Sequence, residues 1–297
     1  MRAMRSYKTV LNEIERNKYN LKKSTLQKHI YYLKHVNNNI DICHITPAML
    51  QDIIKGMKRK RLSKATVYSM YSFFKMIFRH AKQRGYISNN PLSHIPKIKQ
   101  PRIHKKVLST KAVKALFGST NIKGKRNYIF KRVRNKIIIG LLVYCGLRTG
   151  ELIKLNVSDI NLEKKFLLVR KDKLGLSRII PLIPPLLGWI KEYFIARENY
   201  KSKHLLFKPS SGKRLTHAIV DLTLRKYSKL AFKRKHVNPL LLRHTFASLL
   251  YEGGANIKII QRLMGHTNRN ITSIYVKVSD KLMKDAILKN PLISLMR

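Results

Sequence analysis

Apolar residues recur along this chain mostly at helical spacing, three and four apart, and only locally in short continuous or alternating runs. Leu26, Ile30, Tyr31 and Leu33 predict a helix over 24–36. Ile45-Thr46-Pro47 opens a second, with Thr46 as N-cap and Pro47 at the first helical position; Leu50, Ile53 and Ile54 carry it to Gly56. Ser63 or Lys64 begins a long helix whose stripe is Val67, Tyr71, Phe74, Ile77, Phe78 and Ala81. Gly85 ends it, and Asn90-Pro91 closes the unit. The pattern predicts a helical domain over 24–95, preceded by a polar arm or weak first helix over 1–23.

Residues 96–107 carry two prolines and a run of basic residues that suit no regular element, and read as a linker. A second domain spans 108–297. Ser109-Thr110 starts a helix through Val113, Leu116 and Phe117. Residues 121–134 read as a basic loop grading into a helix, and 135–145 as an apolar helix central to the core. A turn at Gly146-Leu147 then leads to a new helix through Leu155. Residues 166–169 and 178–182 are β-type runs flanking Lys171-Asp172-Lys173-Leu174-Gly175, so they read as a hairpin, and 204–207 as an extra strand. Helices follow from Pro184-Pro185 and over 216–232. The fold class is mostly α with one small sheet, in two domains.

Charge changes this picture. The chain of 297 residues has 63 Lys and Arg against 14 Asp and Glu, a net charge of +49. Such a surface repels itself unless it meets a polyanion. From residue 53 to 150 there is no acid at all, while 25 Lys and Arg fall there, inside segments whose apolar periodicity marks them as folded. Lys58, Arg59, Lys60, Arg61 and Lys64, then Lys97, Lys99, Arg102, Lys105 and Lys106 of the linker, and the stretch 123–134 are candidates for phosphate contact. Cys43 and Cys145 have neither disulfide nor metal spacing, which fits a reducing compartment. The longest apolar run, 137–147, is too short to cross a bilayer, and no membrane association is expected.

Five residues are suited to phosphate chemistry. Asn238 and Pro239 start a helix with Arg243 one turn in, where a planar guanidinium grips two phosphate oxygens. Gly265 stops a later helix and His266 follows the stop; Tyr275 lies nine residues further on. Arg148 and Lys173 lie upstream. Each alone has an ordinary reading: a surface ion pair, a solvated histidine, a core tyrosine, a solvated hairpin lysine. Order and spacing together change the weighting.

Those residues are similar to the motifs of the tyrosine recombinases, the phage-integrase and Xer-like group, over about residues 24–290. Cys145-Gly-Leu-Arg148-Thr-Gly-Glu-Leu resembles the family's first arginine box, and Lys173-Leu-Gly-Leu-Ser-Arg178-Ile-Ile-Pro its hairpin lysine and R-x-x-P turn. Leu242-Arg243-His244-Thr-Phe-Ala resembles the second arginine box; Leu263-Met264-Gly265-His266 and Ile274-Tyr275 resemble the histidine and nucleophile boxes. The first domain, with Lys64-Ala-Thr66 and Asn90-Pro91, resembles the SAM-like core-binding domain.

The resemblance implies a site-specific recombinase or integrase that cleaves and rejoins double-stranded DNA through a 3′-phosphotyrosyl bond. Tyr275 attacks, Arg148 and Arg243 hold the phosphate, His266 bonds a non-bridging oxygen and Lys173 protonates the leaving 5′-oxygen. Bond energy stays in the covalent link, so neither metal, ATP nor another cofactor is expected. A homotetramer on paired DNA sites is also implied, with the apolar face of 281–288 docking on a neighbouring copy; packing on its own domain is the alternative. The expected setting is the cytoplasm at the nucleoid, or an organelle interior. One position departs from the pattern: the family has H-x-x-R where this chain has Leu240-Leu-Leu-Arg243, and leucine moves no proton. Three readings follow: His266 or water does that work, the enzyme is slowed, or the chain is a DNA-binding relative without activity.

Overall fold

The computed structural model describes residues 6–16, 23–33, 40–101, 106–121, 126–170, 177–197, 206–207, 215–233, 236–265 and 280–293. The chain divides into two compact units, 1–104 and 105–297.

In the first unit, α1 (Tyr7–Arg16), α2 (Lys23–Leu33), α3 (Pro47–Arg59) and α4 (Lys64–Gln83) surround one core. Thr46 and Ser63 cap α3 and α4 by accepting from the amides of Met49 and Thr66. α3 runs past Gly56 to Arg59, so Lys58 and Arg59 form its last turn, where cations complement the helix dipole. Of the two readings of 1–23, arm or weak first helix, the structure has the helix, and it belongs to the core. Tyr7, Val10, Leu11 and Ile14 of α1 are buried, and the Tyr7 ring lies 5.7 Å from Phe74 and 5.8 Å from Phe78 of α4. Tyr7, Val10, Leu11 and Ile14 stand at i, i+3, i+4 and i+7, so the helix was legible by its spacing, and what the charged residues around them obscured was its burial. Glu13, on the polar side of α1, accepts from the Tyr86 hydroxyl at 2.9 Å and pairs with Arg84 at 3.1 Å.

The second unit is built on α6 (Arg126–Tyr144), whose residues 137–144 are all buried. The basic stretch expected to grade into a helix over 121–134 does so from Arg126, and Arg134, within the stretch proposed for phosphate contact, is buried against Asn135 and unavailable to a backbone phosphate. Against α6 pack α8 (Pro184–Arg197), α9 (His217–Phe232) and α10 (Pro239–Glu252). α5 (Thr110–Gly118) lies on α9, and the short α7 (Thr149–Lys154) follows α6. The sheet has three antiparallel strands, β1 (Ile160–Asn161), β2 (Phe166–Val169) and β3 (Arg178–Pro181), in the order β1-β2-β3. The β2–β3 ladder pairs Phe166 with Pro181 at one end and Val169 with Arg178 at the other. Leu206 and Phe207 are not strand; the third strand is β1, too short at two residues to leave a pattern. His204 and Leu205, and the expected strand with them, lie outside the described residues.

α11 (Ile257–Met264) and α12 (Asp280–Leu288) complete the unit. Met283, Ala286 and Ile287 of α12 are buried, with the helix against α11 and β3, so this helix packs on its own unit. Among the described residues no helix is long and apolar enough to cross a membrane.

Candidate active site

Three segments that are distant in sequence meet at the C-terminal end of α11. A helix end leaves its last carbonyls without amide partners and carries partial negative charge. Here three successive carbonyls are each taken by a different arginine. Arg178 Nε donates to Leu263 O at 2.7 Å, Arg243 Nη2 donates to Met264 O, and Arg148 Nη2 donates to Gly265 O at 3.0 Å.

Local sequence explains how each arginine gets there. Asn238 accepts from the amide of Leu241 at 2.8 Å and Pro239 supplies the first helical residue of α10, which sets Arg243 in its second turn, 4% exposed. Its Nη1 donates to Gly146 O at 2.5 Å. Gly146 holds a φ of +58°, and a Cβ there would lie 2.3 Å from the Phe246 ring; both conditions demand glycine. The turn it makes leaves Arg148 as N-cap of α7, and Glu151, at the third helical position, accepts from the Arg148 amide at 2.8 Å. Arg178 opens β3, and Gly265, in the left-handed conformation at φ +62°, passes so close that a Cβ would meet its Nη1 at 2.8 Å.

Glu151 is the counter-ion of the cluster. Its two oxygens accept from Arg178 at 3.0 and 2.8 Å, one accepts from Arg148 at 2.9 Å, and Arg243 lies at 3.9 Å. Burial pushes its carboxyl up, but the hydrogen bond and charge of Arg178, followed by the bonds from Arg148, outweigh that and hold it down at about 2. Arg243 is pushed down to about 10, by burial first and then by Arg148, with Glu151 opposing; it remains a cation at neutral pH. Three guanidiniums against one carboxylate leave an excess of positive charge, and it reaches solvent chiefly through Arg148, whose side chain is 44% exposed against 5% for Arg243 and 10% for Arg178. Each Arg243 nitrogen bonded to a carbonyl retains a second proton, so the group is oriented but not exhausted.

The structure therefore brings together two of the five residues expected to do chemistry, Arg148 and Arg243. Lys173, His266 and Tyr275 lie outside the described residues, as do Arg102 and Lys105 of the linker. Lys58, Arg59, Lys60, Arg61, Lys64, Lys97, Lys99 and Lys106 are all exposed. Two members of the cluster, Glu151 and Arg178, stood inside the arginine box and the R-x-x-P turn but were given no role from sequence. Glu151 is the first acid after Asp52, and a carboxylate retained beside an arginine in so basic a chain was a usable signal. For Arg178 the signal was its place in the R-x-x-P turn, five residues after Lys173. Leu240 sits on the first turn of α10 with 60% of its surface exposed.

Residues 106–281 match the sequence pattern of the phage integrase family, and residues 5–99 that of the phage integrase SAM-like domain, which takes in α1. A tyrosine recombinase of Thermosipho africanus is 34% identical over 90% of each chain. The tyrosine recombinase XerA of Pyrococcus horikoshii is 32% identical over 91% of this chain and 89% of that one. Among solved structures, the Tn1549 transposon integrase in complex with transposon right end DNA shares the fold at a TM-score of 0.74 and 20% identity, over 96% of this chain and 99% of that one. The arginine boxes, the two matched domains and relatives aligned along nine-tenths of the chain agree: this protein belongs to the phage integrase family and is a tyrosine-type site-specific recombinase.

Proposed function

We propose that Tyr275 is the nucleophile, that Arg148 and Arg243 bind the scissile phosphate of duplex DNA, that His266 bonds a non-bridging oxygen and that Lys173 protonates the leaving 5′-oxygen. The observation that carries this reading is the convergence of Arg148 and Arg243 on the last carbonyls of α11, at the residue next to His266 in sequence. A free phenol titrates near ~10 and is a poor nucleophile at neutral pH. A field of guanidiniums favours its phenolate and offsets the charge that grows on phosphorus-bound oxygens in the transition state. The Tyr275 oxygen bonds to phosphorus as the bond to the 5′-oxygen breaks. The 5′-oxygen takes its proton from Lys173, and attack by another 5′-hydroxyl reverses the sequence on a new partner.

The exposed cations Lys58–Arg61, Lys64, Lys97, Lys99 and Lys106, together with Arg102 and Lys105, are assigned to the sequence-independent grip on the duplex. Exchange between two duplex sites breaks a strand four times, and one tyrosine per copy makes the working assembly a homotetramer on paired sites. Its place of work is the cytoplasm, at the nucleoid.

Leu240 offers no proton acceptor on the first turn of α10, so deprotonation of the phenol falls to His266 or water. A nicked duplex that traps the covalent intermediate tests both points. A band shifted on a denaturing gel, absent in Tyr275→Phe, is expected. Its absence at every pH, with duplex binding intact, overturns the catalytic reading. Leu240→His is expected to raise the trapping rate, by up to ~10²-fold if the missing proton acceptor limits it.

A further inference from the structure

The hairpin ladder ends at the pair Val169 and Arg178, and the stretch that joins them in sequence contains Lys173, with 171–176 outside the described residues. Both ends of that stretch carry an arginine bonded to a carboxylate. At the returning end, Arg178 takes both oxygens of Glu151. At the departing end, Arg170 Nε donates to Asp159 Oδ1 at 2.5 Å and its Nη2 to Ser158 Oγ at 3.2 Å. Asp159 is 1% exposed, and its other oxygen accepts from the Asn156 amide at 2.8 Å, so it has no freedom to follow a moving partner. Glu151 and Asp159 belong to one short segment, 148–159, and its first residue is Arg148.

We propose that Arg170 and Asp159 are a positioning pair for the cleavage step, fixing the departing end of the Lys173 connection to the segment that presents Arg148 to the phosphate. The proposal rests on the reading that Lys173 protonates the leaving oxygen. A general acid works only within hydrogen-bond reach of its target, and a displacement of ~1 Å costs ~10²-fold in rate. The pair is asymmetric: Arg170 is 57% exposed and Asp159 1%, so removing Arg170 leaves a buried carboxylate with the Asn156 amide as a remaining donor and costs the fold as well. Besides supporting the fold, the pair ties the departing end of the Lys173 connection to the segment that carries Arg148; a purely structural loss would slow both duplexes of the test below alike, so rescue on the sulfur duplex separates the two roles.

The test is single-turnover cleavage by the full chain of two duplexes, one ordinary and one with sulfur replacing the bridging 5′-oxygen. A thiolate is a far weaker base than an alkoxide and leaves without a proton. Arg170→Met is expected to slow ordinary cleavage ~10–100-fold, to cleave the sulfur duplex within ~3-fold of the unsubstituted protein, and to bind duplex unchanged, with Arg170→Lys in between. An equal loss on both duplexes, no loss on either, or a loss confined to binding overturns the proposal. Lys173→Ala separates the two layers. If sulfur does not rescue it, the leaving-group reading fails and takes the proposal with it. If sulfur rescues Lys173→Ala but not Arg170→Met, the pair alone fails. Asp159→Asn repeats the test from the buried side.

Discussion

The two units hold positive charge in opposite ways. In the first, Lys58, Arg59, Lys60 and Arg61 stand exposed, and neither α3 nor α4 has an acid in its first turn; α4 even begins with Lys64. In the second, Arg243 is buried and Arg178 half-buried, and they share Glu151 and the carbonyls of α11 with Arg148. Exposed cations without partners act at long range, are screened by salt and have no fixed geometry. Buried and hydrogen-bonded cations are held in one orientation, at the cost of desolvation that carbonyls and a carboxylate must offset. On the function proposed above, the same residue types supply attraction in one unit and geometry in the other. Substitutions tell these uses apart, because loss of attraction shows in binding, whereas loss of geometry shows in rate and stability.

The largest effect belongs to the buried set. Arg243→Lys keeps the charge but cannot reach Gly146 O and Met264 O while bonding a phosphate. Single-turnover cleavage is expected to fall about 10²–10³-fold, with duplex affinity changed by less than ~10-fold. A loss that appears in affinity instead would place Arg243 with the exposed cations and remove the contrast.

Next is acid stability, which reads the Glu151 cluster directly. With a carboxyl held at about 2 in the folded protein against an ordinary 4.5, Glu151 contributes stability that is full above about pH 4.5 and is lost as pH falls toward 2. The amount is at most about 3 kcal/mol. A urea midpoint followed from pH 6 downward should drop across that window. In Glu151→Gln the midpoint should start lower and lose most of that slope. Equal slopes in the two proteins would mean that Glu151 is not the acid-sensitive counter-ion.

The helices of both units were legible from caps and periodicity. Thr46, Ser63, Ser109 and Asn238 all cap where their side-chain chemistry places them, and the stripe of α4 lines its core. Partners set by tertiary contact were not. α1 read as arm or weak helix alike, and what decides between them is Tyr7 meeting Phe74, a residue far along the chain. β1 exists because Ile160 and Asn161 find β2, and two residues carry no period. At the site, Arg148 and Arg243 could be singled out by spacing, but their common anchor could not. It consists of backbone carbonyls at the end of α11, which every sequence has and none advertises. The roles of Glu151 and Arg178 became visible only once those carbonyls placed them.

The smallest effect sharpens the comparison from the other side. Lys64 is the first residue of α4, where the unpaired amides of the helix start repel a cation. Lys64→Ala is expected to stabilise the protein by about 0.3–1 kcal/mol, read as a rise in the urea midpoint. It should also weaken duplex binding by less than ~10-fold and lower the slope of log K against log salt by ~0.9. Neutralising Lys58, Arg59, Lys60 and Arg61 together scales the binding and salt effects up to fourfold, equally on target and non-target sequences, while the folded state gives up only the dipole contribution of the α3 terminus. Lys64 is the sharper probe, because its two effects have opposite signs. A residue kept for the fold would lose stability on substitution. A residue kept for a phosphate backbone loses affinity while the helix beneath it gains.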